Sequence, residues 1–155
     1  MDQIFVWRIT DPRYVQTAFS GEGARLWGGR FNSPGISAVY TSASLSLALL
    51  ENLVQTSDRS LLRKKRLIKA RVPKNLIYMP QIDELPEEWS SIPAKNASRI
   101  FGDAWITHQK SAVLRVPSVV VPLEYNYVIN PQHSQLSEIG IEPDQALPLD
   151  PRFFT

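Results

Sequence analysis

Apolar residues crowd this chain most densely between positions 45 and 54. Leu45, Leu47, Leu49, Leu50, Leu53 and Val54 cover a wide arc of a helical wheel, and Glu51, Asn52 and Gln55 share the narrow remainder with Ala48. The spacing predicts a nearly buried helix with one polar stripe. Just upstream, Ala38, Val39 and Tyr40 read as a short buried strand ending at Thr41 and Ser42, residues whose hydroxyls suit a helix N-cap. The run from Ile4 to Ile9 is β-like and closes at Asp11-Pro12, which makes it the first strand.

A short helix is expected over 14–19, then mostly irregular backbone over 21–35, a loop long enough in a compact domain to be functional. Residues 67–72 alternate, with Lys69 and Arg71 on one side and Ile68, Ala70 and Val72 on the other, as in a half-buried strand. Leu76, Ile77 and Tyr78 read as another strand, and the proline-punctuated stretch to Pro93 as a surface connection. Helical spacing through Ile100, Phe101, Ala104, Trp105 and His108 predicts a helix over 96–109. Residues 111–130 look like consecutive valine-rich strands broken at Pro117 and Pro122, and the tail after Ser134 is mildly acidic.

With 155 residues, 43% of them hydrophobic and 10% aromatic, the chain suits a single domain spanning 1–155 with one sizeable core. No cysteine is present, which excludes disulfides and thiolate metal sites and suits a reducing cytoplasm. The first residues lack a basic region followed by an apolar run, and no stretch reaches the length of a membrane span, so a cytoplasmic protein is expected. A net charge of +2 is too small to argue by itself for nucleic acid. No P-loop, no glycine-rich dinucleotide fingerprint after a strand and no metal-ligand spacing occurs, so no metal is expected.

Several residues stand out chemically. Gly28 and Gly29 directly before Arg30 describe a bend that presents a guanidinium, either as an anion clamp or as a surface arginine beside a turn. Glu51 lies on the polar stripe, facing either solvent or a cleft in which partial desolvation would make it strongly interacting. Arg8 is a charge inside an apolar strand and points either to solvent or into the same cleft. Ser118 follows a proline between two β runs and, taken alone, reads as a turn residue; nothing around it resembles a nucleophile elbow. His108 is read as a capping or surface residue before an acid or base. The run from Arg59 to Arg71 holds seven of the seventeen basic residues. It reads as a solvated face, a docking surface for an acidic partner or an approach path for a phosphate-rich ligand.

The ordered set Trp7-Arg8-Ile9, Gly28-Gly29-Arg30-Phe31-Asn32, Val39-Tyr40-Thr41-Ser42, Ala48-Leu49-Leu50-Glu51 and Val116-Pro117-Ser118 resembles the RES-domain toxins of bacterial toxin–antitoxin pairs. The resemblance covers nearly the whole chain. It implies an α+β fold similar to ADP-ribosyltransferases, with a mixed β core, flanking helices and an NAD-binding cleft. It also implies cleavage of the nicotinamide–ribose bond of NAD+ as substrate, with water or inorganic phosphate as acceptor and no bound cofactor. Mono-ADP-ribosylation of a cellular protein is the alternative, and a basic nucleic-acid-binding module a further one.

In that scheme Arg30 grips the pyrophosphate, since without a Rossmann fingerprint side chains must hold it. Glu51 faces the ribose and Tyr40 packs its ring against nicotinamide or ribose. Ser118, Arg8 and Asn130 are substrate-binding candidates, Asn130 because the family's sheet end lies by the cleft. The partner implied is an Xre-like antitoxin, DNA being contacted only through it, and the scheme leaves room for a homodimer within that complex.

Overall fold

The structure, a computed structural model, describes residues 2–154. The first apolar run forms β1 (Gln3–Thr10). Asp11 then accepts from the amide of Arg13 at 2.9 Å and Pro12 opens a 3-10 turn over Pro12–Thr17, so the helix expected at 14–19 is tighter and begins earlier. Residues 21–35 are also more regular than expected. Gly21 opens α1 (Glu22–Trp27), Arg25 donates back to Glu22, and Gly28, with φ of 76°, ends the helix in a conformation that suits only glycine.

Next come β2 (Val39–Ser42) and α2 (Leu45–Leu53). Thr41 and Ser42 do not cap the helix, because their hydroxyls are engaged across the sheet, with Tyr127 O and Asn126 Oδ1. The cap is Ser44, whose Oγ accepts from Leu47 N at 3.1 Å. The alternating basic run becomes β3 (Arg66–Pro73), followed by β4 (Ile77–Tyr78), α3 (Asn96–Thr107), β5 (Val113–Pro117) and β6 (Tyr125–Ile129). Two short strands, β7 (Gly140–Ile141) and β8 (Gln145–Ala146), complete the sheet.

The strands run in the order β4-β5-β6-β2-β1-β3-β7, with β8 also paired to β3. Among the described residues only β4 and β5 pair in parallel, and the architecture is a mixed α+β domain. One core lies among Val6, Val39, Ala70, Val72, Val113 and Ile129 in the middle strands. A second forms where Trp105 and Ile106 of α3 meet Phe31, Leu114, Val116 and Val128. A third lies under α2, where Ala48 and Leu49 meet Ile9, Leu62 and Leu67, and Leu147, Leu149, Phe153 and Phe154 of the C-terminal tail cover it.

The basic run does not make one face. Lys69 sits over the rings of Phe5 and Trp7 at 4.0 and 5.1 Å, Arg63 over Phe154 at 4.6 Å, and Arg66 pairs with Asp144 at 2.7 Å. His108 ends α3, its backbone amide bonded to Ala104 O. No helix among the described residues is long and apolar enough to cross a membrane.

Candidate active site

Strand register builds the floor of the site. Trp7 pairs with Ser42, Ser42 with Asn126, and Asn126 with Val116, so these side chains make one row across β1, β2, β6 and β5. All four line a cleft of about 990 Å³, at the upper end of the size usual for small-molecule sites.

Glu51 reaches this row from α2. Its Oε1 accepts from Asn126 Nδ2 at 2.7 Å and from Ser118 Oγ at 2.8 Å. The amide of Asn126 is itself oriented, because Ser42 Oγ donates to its Oδ1 at 2.8 Å. The other carboxylate oxygen, Oε2, has no protein partner among the described residues, so one edge of the carboxylate is held while the other stays available to the cleft.

Ser118 is not the substrate-facing hydroxyl that the resemblance implied. It is fully buried, and its hydroxyl accepts from the amides of Val120 and Val121, both at 3.0 Å, while donating to Glu51. A hydroxyl has one hydrogen and two lone pairs, and all three are used. Ser118 therefore positions Glu51. Asn130 is also corrected. It lies four residues on from Asn126, just past the end of β6 and roughly 13 Å away at strand rise. There it is buried, with Nδ2 directed to Ile106 O and Oδ1 accepting from Gln132 N, bracing the turn after the strand. The amide that serves the site is Asn126, which sequence reasoning passed over; its signal was a lone carboxamide in the β run Tyr125-Asn126-Tyr127.

Arg30 stands on the loop between α1 and β2. Its Nη1 donates to Trp89 O at 2.9 Å and Ser91 O at 2.7 Å, leaving Nε and Nη2 without protein partners among the described residues. Burial lowers its pKa, and the nearby charge of Glu51 partly offsets this. Asn32 braces the loop. Fully buried, it donates to Ala24 O and Ile36 O, both at 2.8 Å, and accepts from Tyr40 Oη at 2.6 Å.

Tyr40 Oη in turn accepts from Phe31 N at 3.0 Å, and burial raises its pKa, so the phenol stays neutral. Its ring lines the cleft while its hydroxyl serves the loop. Gly29 is required here, since a Cβ would sit 2.7 Å from Tyr40 Oη and 2.8 Å from Asn32 Oδ1.

Helix α3 clamps the same loop. Asp103 accepts from Ser33 N at 2.8 Å and Ser33 Oγ at 2.6 Å, and Arg99 Nε donates to Gly29 O at 3.0 Å. At Gly102 a Cβ would lie 1.8 Å from Phe31 O, so helix and loop touch backbone to backbone. Arg8 takes the cleft-facing alternative. Its Nη1 donates to Tyr40 O at 2.9 Å, its Nε is buried without a partner, and burial lowers its pKa. Among the described residues the charged lining is thus three arginines, Arg8, Arg30 and Arg99, against the single carboxylate of Glu51, a surround suited to an anionic ligand. Among the described residues no cluster of histidines and acids is arranged to hold a metal ion.

Known proteins resemble this chain over most of its length. The RES domain family profile matches residues 5–150. The chain is 39% identical over 128 residues to Toxin Res of Photorhabdus laumondii, covering 83% of this chain and 82% of that protein. It is 37% identical over 151 residues to the Prs ADP-ribosylating toxin of a Sphingobium species, covering 94% of each. Among solved structures, the crystal structure of the M. tuberculosis MbcT–MbcA toxin–antitoxin complex contains a chain with a TM-score of 0.74 and 19% identity. That match covers 94% of this chain and 85% of the other.

Proposed function

The chain belongs to the RES-domain family, and from its site we propose that it is a toxin that cleaves the nicotinamide–ribose bond of NAD+ and is neutralised by a cognate antitoxin. The observation that carries this reading is the carboxylate of Glu51, pinned through Oε1 by Asn126 and Ser118 with Oε2 left open to an arginine-lined cleft.

Loss of nicotinamide leaves positive charge on the ribose, as in glycoside cleavage. A fixed carboxylate stabilises that charge more than it stabilises the ground state, with no reorganisation needed at the moment of reaction. Oε2 is the oxygen that would meet the ribose hydroxyls. Arg30 supplies two unpartnered nitrogens for the pyrophosphate, and the ring of Tyr40 supplies a wall for nicotinamide or ribose. Arg8, with its buried unpartnered Nε, is a third contact for substrate phosphate or for inorganic phosphate as acceptor. Nicotinamide departs as a neutral group, so no strong general acid is required.

Transfer of ADP-ribose to a cellular protein is the second reading, favoured by the Sphingobium relative described as an ADP-ribosylating toxin. For the partner we propose an Xre-like antitoxin that covers the cleft between Arg30 and Glu51, in line with a structural neighbour taken from a toxin–antitoxin complex. The test is incubation of purified protein with NAD+, with and without phosphate, and identification of products by mass. Free nicotinamide with ADP-ribose or its 1″-phosphate supports degradation, adenine label on protein supports transfer, and intact NAD+ rejects both.

A further inference from the structure

Arg99 enters the cleft from α3, outside the sequence motifs that point to Arg30 and Glu51. Its Nε is committed to Gly29 O, the carbonyl of the peptide that leads into Arg30, and Nη1 and Nη2 have no protein partner among the described residues. Arg30 is built alike, with one nitrogen tethered to backbone carbonyls and two left over. Arg99 is thus tied to the loop that carries Arg30, the guanidinium of Arg30 is tied across to the segment of Trp89 and Ser91, and both side chains line the cleft. Neither is in an ion pair among the described residues, and the positive charge of each acts on Tyr40.

Two guanidiniums that line one cleft, neither paired with an acid among the described residues, favour an anionic ligand there. Glu51, the only acid in the lining among the described residues, is already held through Oε1 by Asn126 and Ser118. A pyrophosphate, with one negative charge on each phosphoryl group, matches two guanidiniums that each offer a fork of free N–H donors. Arg8 is tethered elsewhere, to Tyr40 O, and is not part of this pair.

We propose that Arg99 is a second pyrophosphate-binding residue, taking one phosphoryl group of the dinucleotide while Arg30 takes the other. This rests on the NAD+ reading of the site and extends it to how the cleft selects a dinucleotide.

The experiment uses the full chain carrying Glu51→Gln, so that NAD+ persists, with Arg99 intact, as Arg99→Gln or as Arg99→Lys. Dissociation constants come from calorimetry and the two bound phosphorus environments from 31P NMR at saturating NAD+. With Arg99 intact, both resonances shift from their free positions. Arg99→Gln is expected to weaken NAD+ binding by about thirtyfold, roughly 2 kcal/mol, and to return one resonance towards its free position while the other stays shifted. Arg99→Lys falls between and serves as the folded reference should the glutamine variant prove unstable.

Unchanged affinity in either variant, or both resonances moving alike, overturns the assignment, because a merely structural tether at Gly29 would disturb both phosphates together. If the Arg99-intact protein binds no NAD+, the substrate reading itself fails first, and this inference with it.

Discussion

The two ends of the cleft are held in different ways. Around Glu51 the restraints run side chain to side chain from sheet and helix: Ser42 orients Asn126, Asn126 and Ser118 fix one carboxylate oxygen, and two backbone amides fix Ser118. Around Arg30 the restraints are a loop's own braces and single tethers to backbone carbonyls, at Trp89, Ser91 and Gly29. The first arrangement fixes a charge in place. The second leaves donors free beside an anchored edge. A group that stabilises a developing cation gains from being preorganised, whereas groups that grip phosphate need unspent N–H donors.

The sharpest way to break this contrast is Glu51→Gln. The amide keeps the size and an oxygen for its two donors but loses the charge. NAD+ turnover should fall at least a hundredfold, about 2.7 kcal/mol of transition-state stabilisation, with little change in melting temperature. Wild-type turnover would remove Glu51 from the chemistry.

Arg30→Lys probes the other end. A lysine can replace the tether or the grip but not both, so kcat/KM should drop about thirtyfold, near 2 kcal/mol, mostly through KM. Normal steady-state kinetics would reduce Arg30 to a loop brace.

Gly102→Ala separates the two ends without touching a site residue. The added methyl would collide with Phe31 O at 1.8 Å, forcing α3 and the Arg30 loop apart. A stability loss of about 1–3 kcal/mol is expected for such overpacking. Calorimetry should show it as a drop of several degrees, with KM rising in the surviving folded protein and the Glu51 end unaffected. If KM is unchanged, α3 does not hold the loop in its binding shape.

The smallest effect is assigned to Tyr40→Phe, which removes the hydroxyl that joins Phe31 N to Asn32 while keeping the ring. Stability should fall by about 1 kcal/mol at neutral pH. Because the folded state raises the pKa of Tyr40 above its ordinary value of 10.0, the neutral phenol is favoured on folding. That contribution is fully present below pH 10 and is lost progressively as pH rises from there through the raised folded-state value. The difference in melting temperature between wild type and variant should therefore shrink as pH rises beyond 10. A constant difference would show that the phenol is not shielded.

Much of this molecule follows from local pattern. Strand alternation in Lys69-Ala70-Arg71-Val72, the arc of leucines over α2 and the spacing of α3 each reflect a 2- or 3.6-residue period that burial imposes, so they were legible without a partner in view. The bend at Gly28 and the placement of Glu51 on a polar stripe were also legible locally, whereas the cleft that Arg30 and Glu51 face appears only in the folded chain.

What the sequence by itself determined is thus the main strands and helices, their apolar faces and the residue types able to do ionic chemistry. The tertiary structure alone decided which polar groups meet. Ser118 and Glu51 are 67 positions apart and Asn126 and Glu51 are 75 apart, and no local period relates them. Whether a hydroxyl faces substrate or is used up on a neighbour depends on strand register, and whether Asn126 or Asn130 serves the cleft depends on which end of β6 α2 reaches. A shift of one residue would send every side chain to the opposite face. Hydrogen bonds saturate and act only at short range, so Ser118 became a support for the carboxylate once β5, β6 and α2 were brought together.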